Sequence, residues 1–269
     1  MLKFAANLSF LFAEHPFLDR FARAAAAGFR GVEYMFPYAH AKEEIAERLQ
    51  AHGLEQVLFN LPAGDWEAGE RGLGCLPGRE AEFRQGVELA LEYALTLGCR
   101  RLNCLAGLAP AGAVEAADVE AAEVEAELRA TFIANLSWAH AKLAPHGIEL
   151  LAEPINSRVD MPGFWLDRPA KGLEVLAEAG VGWLQYDLYH AQIMEGDLAR
   201  FLERHLAAIG HLQIADNPGR HEPGSGEIHY PYLFRRLAEL GYDGWIGCEY
   251  KPAAGTEAGL GWLAAARGI

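Results

Sequence analysis

The sequence predicts a (β/α)8 barrel, the TIM-barrel fold, formed by a single α/β domain over residues 1–269. Short apolar segments alternate about eight times with longer amphipathic ones, which is typical of a parallel sheet with helices between its strands. Dividing 269 residues by eight gives about 34 residues per unit, as a closed barrel needs. An open doubly wound sheet is the alternative, but no Gly-x-Gly-x-x-Gly pattern follows the first strand candidate.

Eight segments have the length and composition of buried parallel strands. Each contains four to six residues, is rich in aliphatic, β-branched or aromatic side chains, and is flanked by turn residues. In chain order, the strand candidates are Lys3–Ala6, Gly31–Tyr34, Gln56–Asn60, Arg101–Leu105, Ile148–Glu153, Gly182–Asp187, His211–Ala215 and Trp245–Glu249.

Longer segments with helical periodicity lie after the strand candidates. They are Phe17–Ala27, Lys42–His52, Arg79–Leu97, Val119–Leu143, Pro169–Ala179, Leu198–Ala207, Tyr232–Leu240 and Thr256–Ala266. Glycine recurs just after these helices, where a left-handed residue ends a helix and leads into the next strand. We expect such caps at Gly28, Gly53, Gly98, Gly147, Gly180, Gly210 and Gly241.

The overall charge limits the classes of partner. There are 37 Asp and Glu residues against 23 Lys and Arg, which gives a net charge of −14. This charge argues against a nucleic-acid partner, because the phosphates require a basic surface. A small anionic substrate is compatible with it, since a few local Arg or Lys residues can bind one carboxylate. The sequence leaves assembly into a homo-oligomer open.

The cysteines and the apolar segments bear on the compartment. The four cysteines show no Cys-x-x-Cys spacing, and Cys104 and Cys248 lie in apolar strand candidates, so we expect small core residues. The first residues lack the features of a signal peptide, and the apolar stretches are shorter than the roughly 18–20 residues that span a bilayer. We therefore expect a soluble, cytoplasmic protein with no membrane partner.

Two loops are longer than a connection requires, Leu61–Gly78 and Asp216–Ile228. Loops of this length in a compact domain are often functional. In the first loop, Trp66, Glu70 and Arg71 could form part of a lid over the barrel mouth. A packed surface loop anchored by Trp66 is the equally weighted alternative.

Polar residues stand at the carboxyl ends of the strand candidates, where a parallel barrel has its active site. They are Asn7, Glu33, Asn60, Asn103, Glu153, Asp187, Gln213 and Glu249. Because this end of the barrel is partly desolvated, such side chains need partners there.

The last four of these residues end four consecutive strands and predict a metal site. Neighbouring strand ends lie about 5 Å apart, so Glu153, Asp187, Gln213 and Glu249 should converge. Three converging carboxylates repel one another unless a cation compensates them. Their oxygens, with an amide oxygen, favour one divalent metal ion, Mg²⁺ or Mn²⁺. Strand-end caps and salt-bridge partners are the alternative interpretation.

The same residues predict acid–base chemistry. Glu153 and Glu249 flank the site, so that one could remove a proton from a bound carbonyl compound and the other return one. A metal would polarise the carbonyl, and the combination suits isomerisation or epimerisation of the aldose–ketose type.

Further residues around the rim are candidates for binding a substrate carboxylate. They are Arg158, His190, Arg220 and Lys251, with the two arginines as first choices because their guanidinium groups match a carboxylate. Surface residues or loop ion pairs are the alternative for each of them. Glu227 could hold Arg220 or a substrate hydroxyl. His211 begins a strand and is expected to be a satisfied core residue.

Together the motifs resemble the hydroxypyruvate isomerase family, within the xylose isomerase-like barrel superfamily. The resemblance runs from residue 4 to about residue 262. The matching stretches are FAANLSFLF, GFRGVEYMFPY, NLPAGDWEAGERG, PGREAEFR, EPINSRVDMPGF, QYDLYHAQIMEGD, GHLQIADNPGRHEPGSGEI and GWIGCEYKP.

The resemblance implies a TIM barrel that interconverts hydroxypyruvate and tartronate semialdehyde. It places the catalytic and metal-binding glutamates at Glu153 and Glu249, and the other two ligands at Asp187 and Gln213. Relatives that share most of these motifs act on 2-oxo-tetronates, so that a four-carbon substrate is the alternative. Two rival functions are an endonuclease for abasic DNA, which needs more His ligands and a basic rim, and a binding protein, which would lose one glutamate.

Overall fold

The computed structural model describes residues 1–110 and 119–268. Eight parallel strands close into a barrel in the order of the sequence, and β8 pairs with β1. The strands are β1 (Lys3–Asn7), β2 (Gly31–Tyr34), β3 (Glu55–Asn60), β4 (Arg101–Cys104), β5 (Glu149–Ala152), β6 (Trp183–Asp187), β7 (Ile209–Ile214) and β8 (Trp245–Cys248).

This architecture confirms the predicted TIM barrel and excludes the open sheet, because Ala5 of β1 is in register with Gly247 of β8. All eight strand predictions are confirmed to within one residue at each end, except that β7 begins at Ile209, two residues before the predicted start. No helix among the described residues combines the length and the apolar character that crossing a membrane requires.

Helices cover the outside of the barrel. They are α1 (Phe17–Ala26), α2 (Lys42–His52), α3 (Glu80–Leu97), α4 (Val119–Leu143), α5 (Pro169–Ala179), α6 (Leu188–Met194), α7 (Leu198–His205), α8 (Tyr230–Glu239) and α9 (Gly261–Arg267). All eight predicted helices are confirmed, although the last begins with a 3₁₀ turn at Glu257–Leu260.

Helix α6 is not predicted from the sequence, because it follows β6 without a connecting turn. The Asp187 side chain ends the strand and caps the helix by accepting from the backbone N–H of Tyr189 at 2.8 Å. A residue at the barrel mouth therefore also begins a helix, which brings His190 back towards the strand ends.

The predicted glycine caps are confirmed at six positions, where φ lies between 61° and 86°. The seventh, Gly210, is wrong as a cap, because it lies inside β7 and a 3₁₀ turn over Leu206–Ala208 makes the connection instead. The need for glycine there is steric: an added Cβ would lie 2.6 Å from Leu151 Cδ2 and 2.8 Å from Trp183 Cβ.

The core has two parts. Most apolar side chains fill the layer between sheet and helices, and it includes Cys104 and Cys248, as predicted; all four cysteines are free and buried. A second, smaller cluster consists of Ala5, Val57, Leu58, Leu151 and Trp245. Since side chains alternate along a strand, the next positions on the same face after Ala5 and Leu151 carry the polar residues Asn7 and Glu153 of the barrel mouth, while Gly247 separates Trp245 from Glu249.

Gly247 leaves room for a polar residue that crosses the barrel. Glu33 on β2 is fully buried, and a Cβ at Gly247 would lie 2.2 Å from its Oε1. We expect Gly247→Ala to lower the free energy of unfolding by about 1–3 kcal/mol, because Glu33 would have to leave its position.

Urea denaturation measures this change, with Gly261→Ala as the control. Gly261 has φ −56° and no atom within 4 Å of an added Cβ, so that this variant should unfold within about 0.5 kcal/mol of the wild type. Equal stability of the two variants would contradict the steric role of Gly247.

Candidate active site

Four buried side chains meet at the carboxyl end of the barrel. Glu153 directly follows β5, Asp187 ends β6, Glu249 directly follows β8, and His190 lies in α6. One ligand atom from each residue can be chosen so that all four lie within 4.8 Å of one another. The convergence of the three carboxylates is that expected from strand ends, while His190 joins them from the helix.

Burial shifts the acidity of these carboxyl groups. Desolvation, opposed in part by Arg220, raises the pKa of Glu249 to about 8 and that of Asp187 to about 6. The pKa of Glu153 also lies well above its ordinary value, through burial and through repulsion by Glu249 and Asp187. Within the described residues, Glu153 Oε1 and Asp187 Oδ2 are buried without a hydrogen-bond partner. Partnerless carboxylate oxygens that face one another suit a divalent cation.

Arg220 supplies a buried positive charge beside this cluster. Its NH2 group donates to Glu249 Oε1 at 2.5 Å, and its NH1 group donates to Asp160 Oδ1 at 3.1 Å. The guanidinium lies 4.9 Å from the ring centre of Phe10 and 5.3 Å from that of Tyr189. Arg220 is thus held between two carboxylates and two rings, and it offsets part of the negative charge.

Two amide side chains in the barrel interior orient the carboxylate of Glu249. Asn7 Nδ2 and Gln213 Nε2 each donate to Glu249 Oε2, at 2.9 and 2.7 Å. The same two nitrogens donate to Glu33 Oε1, at 3.0 and 2.8 Å. The second oxygen of Glu33 lies 2.7 Å from Nε2 of His211. His211 is therefore a buried residue of the barrel interior, although its Nδ1 has no partner among the described residues.

The end of β4 holds Glu153 in the same way, through Asn103. Asn103 Nδ2 donates to Glu153 Oε2 at 2.8 Å and to Asn60 Oδ1 at 3.2 Å. Each catalytic candidate thus has one oxygen fixed by strand-end amides. For Glu153 the other oxygen is free for a ligand.

Gln213 does not present its oxygen to the cluster. Its Nε2 faces Glu249, and its Oε1 accepts from Gln185 Nε2 at 2.7 Å. The Oε1 of Gln185 is buried and lacks a partner in the described part of the chain.

Two predicted substrate-binding residues have exposed side chains. Arg158 is exposed and donates from NH1 to the Ile193 carbonyl at 2.6 Å. The Lys251 side chain is exposed, and its backbone N–H donates to the Arg220 carbonyl at 2.7 Å. Glu227 accepts from Asn217 and Gln192 and does not hold Arg220.

Asn156 and Asp160 are not among the predicted site residues, although both lie in the stretch EPINSRVD that follows β5. Asp160 Oδ2 accepts from Asn156 Nδ2 at 2.7 Å and from the Tyr189 hydroxyl at 2.8 Å. Arg220 lowers the pKa of Asp160 against the opposing effect of burial. The position of the stretch, directly after a strand end that carries a glutamate, is the signal that could have identified them.

The long loop 61–78 is packed through Trp66, as one of the two predicted alternatives has it. Trp66 meets the ring of Phe36 edge-on at 5.1 Å, and the Arg71 guanidinium lies 4.3 Å from the centre of the Trp66 ring. Further along, the Cys75 N–H donates to the Ala106 carbonyl at 2.8 Å, which ties the loop to the end of β4.

Known proteins resemble this chain over almost its whole length. The 2-oxo-tetronate isomerase of Cupriavidus necator is 55% identical over 265 residues, which are 98% of each chain. The hydroxypyruvate isomerase of Escherichia coli is 50% identical over 265 residues, again 98% of each chain.

A solved structure agrees with these likenesses. The crystal structure of a protein from Brucella melitensis, described as an AP endonuclease of family 2, has a TM-score of 0.92 and 48% identity, and covers 98% of this chain and 99% of that one. The family model of the xylose isomerase-like TIM barrel matches residues 21–266. The chain therefore belongs to the xylose isomerase-like TIM barrel family.

Proposed function

We propose that the protein interconverts hydroxypyruvate and 2-hydroxy-3-oxopropanoate (tartronate semialdehyde) by proton transfer. A 2-oxo-tetronate isomerase with the same mechanism is the alternative, and the names of the relatives support both equally. Because the two curated relatives that cover 98% of the chain are named isomerases, the protein is an enzyme of the isomerase type. The observation that supports the chemistry is the pair Glu153 and Glu249, buried and facing one another at the barrel mouth.

The proposed reaction needs one group that accepts a proton and one that donates a proton. One glutamate removes a proton from C3 of hydroxypyruvate, leaving an enediolate with a double bond between C2 and C3. The other glutamate delivers a proton to C2, and the hydroxyl proton passes from O3 to O2. C3 becomes the aldehyde carbon, and no external oxidant or reductant is needed. In the cation-free site the raised pKa of Glu249, about 8, lets its carboxyl group hold a proton near neutral pH, and a bound cation would displace that proton.

The cluster also fits one divalent cation, Mg²⁺ or Mn²⁺. Glu153, Asp187 and Glu249 would hold it with carboxylate oxygens. When bound, the cation would polarise the substrate carbonyl. Gln213 is the proposed fourth ligand, provided that its amide and that of Gln185 both turn, so that the now partnerless Oε1 of Gln185 accepts from the Gln213 amide nitrogen.

For the substrate carboxylate and hydroxyl groups we propose Arg220 and His190, which lie against the cluster. Arg158 and Lys251 stay predictions for the outer rim, since both side chains are exposed. The substrate is thus a small anionic hydroxy-oxo acid, and the buried guanidinium beside Glu249 provides the positive charge that such an acid needs.

The two rival functions have less support. A net charge of −14 disfavours a DNA substrate, and the cluster contains one histidine, at position 190, beside its three carboxylates. A binding protein would not need both glutamates. We propose the cytoplasm as the compartment, because all four cysteines are free thiols.

Substitution of either glutamate tests the acid–base pair. We expect Glu153→Gln and Glu249→Gln each to lower kcat by about 10²–10⁴-fold with hydroxypyruvate or a 2-oxo-tetronate, because an amide transfers no proton. Steady-state assays with both substrates measure the loss. The control is Glu88→Gln on the exposed face of α3, where Glu88 forms an ion pair with Lys142. Wild-type turnover by a folded Glu249→Gln variant would contradict the proposal.

The pKa values predict how cation binding depends on pH. Below about pH 6 and pH 8, respectively, Asp187 and Glu249 hold protons that compete with the cation. The affinity for Mn²⁺ should therefore rise, by about tenfold or more, between pH 6 and pH 8. Calorimetric titration at several pH values measures it. An affinity that stays constant over this range would show that these carboxyl groups do not bind the cation.

A further inference from the structure

His190 carries two ring nitrogens with different surroundings. Its Nδ1 lies 2.7 Å from Asn156 Nδ2. Its Nε2 faces the cluster, 3.6 Å from Asp187 Oδ2 and 3.4 Å from Arg220 NH2. The ring is buried between these groups. A neutral imidazole has one N–H and one lone pair, and their placement decides what the ring can do.

The orientation of the Asn156 amide is fixed by groups other than His190. Its Oδ1 accepts from the backbone N–H groups of Val159 and Asp160, both at 3.0 Å. Its Nδ2 donates to Asp160 Oδ2 at 2.7 Å. A turned amide would place its NH2 group against two backbone donors and its oxygen against a carboxylate. Asn156 therefore points an N–H donor at His190 Nδ1.

A donor 2.7 Å from Nδ1 requires the ring lone pair at that nitrogen. We infer that Asn156 fixes the tautomer of His190 in which Nε2 carries the hydrogen, so that His190 is an N–H donor in the active site and not a ligand of the cation. A histidine binds a metal ion through the lone pair of an unprotonated nitrogen, and in this tautomer Nε2 has none.

The contact between Arg220 and Nε2 is the weaker of the two donor contacts to the ring. At 3.4 Å it is much longer than the 2.7 Å contact at Nδ1, and the same NH2 group donates to Glu249 at 2.5 Å. On the other side, Nε2 faces Asp187 Oδ2, a buried acceptor without another partner among the described residues.

The N–H of His190 gives the proposed reaction a neutral donor beside the two glutamates. Resting on the proposed function, we assign its target as a substrate oxygen that gains negative charge when C3 loses its proton. Asn156 touches neither the substrate nor the cation in this scheme. It is a positioning residue that acts through His190.

Nuclear magnetic resonance tests the tautomer directly, on the wild-type protein and without any assay of activity. In protein labelled with ¹⁵N-histidine, the His190 signals are identified as those that disappear in His190→Gln. We expect Nδ1 to be unprotonated and Nε2 to be protonated, both without metal and with Mg²⁺. A protonated Nδ1, or loss of the Nε2 hydrogen on addition of Mg²⁺, would overturn the inference.

Metal binding provides a second readout that does not depend on turnover. We expect His190→Gln, whose amide keeps an N–H donor, to bind Mn²⁺ with a dissociation constant within about threefold of the wild-type value. The control Asp187→Asn should weaken binding by about tenfold or more. Equal losses in the two variants would contradict the inference, even if hydroxypyruvate proves not to be the substrate.

Asn156→Asp tests the positioning role. One oxygen of the new carboxyl group still accepts from the backbone N–H groups of Val159 and Asp160. The other would share a proton with Asp160 Oδ2, which lies 2.7 Å from the replaced nitrogen, and would accept from Nδ1, which draws the ring hydrogen away from Nε2. We expect the ¹⁵N spectrum to show Nδ1 protonated and kcat to fall about tenfold or more, while KM changes less. A folded variant with the wild-type tautomer would contradict the role of Asn156. If it does not fold, the two preceding measurements decide.

Discussion

Three carboxylates buried within a few ångströms of one another are the constraint around which the mouth of this barrel is organised. In a medium of low dielectric constant such a group is costly, and its members take up protons unless other charges or hydrogen-bond donors compensate them. The barrel supplies one guanidinium, from Arg220, and amide donors from Asn7, Asn103 and Gln213. Two carboxylate oxygens, Glu153 Oε1 and Asp187 Oδ2, have no hydrogen-bond donor among the described residues and are available to a cation and a substrate.

The compensation is built in layers. Below the cluster, Glu33 accepts from the two amides that hold Glu249, and the missing side chain of Gly247 gives it space. Beside the cluster, Asp160 ties Arg220 to the turn of Asn156. The Asn156 amide in that turn determines which ring nitrogen of His190 carries the hydrogen, so that a neutral N–H donor lies among the charged groups. Each layer thus limits the directions in which the next can form hydrogen bonds.

Much of this arrangement could be predicted from the sequence, because strand ends in a parallel barrel meet at one edge. The positions of Glu153, Asp187 and Glu249 follow from the strand pattern alone. The positions of loop side chains cannot be predicted from the strand pattern. Arg158 and Arg220 were equal candidates from the sequence, but of the two only Arg220 points into the site, and its backbone has a positive φ of 56°. The orientation of an amide, as at Gln213 or Asn156, depends on all of its neighbours and has no local signature in the sequence.

Proton transfer by the buried glutamates is tested most directly by running the reaction in D2O with Mg²⁺ and hydroxypyruvate. NMR then measures how much hydrogen and deuterium the product carries at C2. Incubation with the Glu249→Gln variant is the control for solvent exchange at C2 that the enzyme does not catalyse. If a glutamate exchanges its proton with solvent during the reaction, the product carries deuterium at C2. Complete retention of the substrate hydrogen would contradict proton transfer and would indicate a direct shift of hydride between the two carbons.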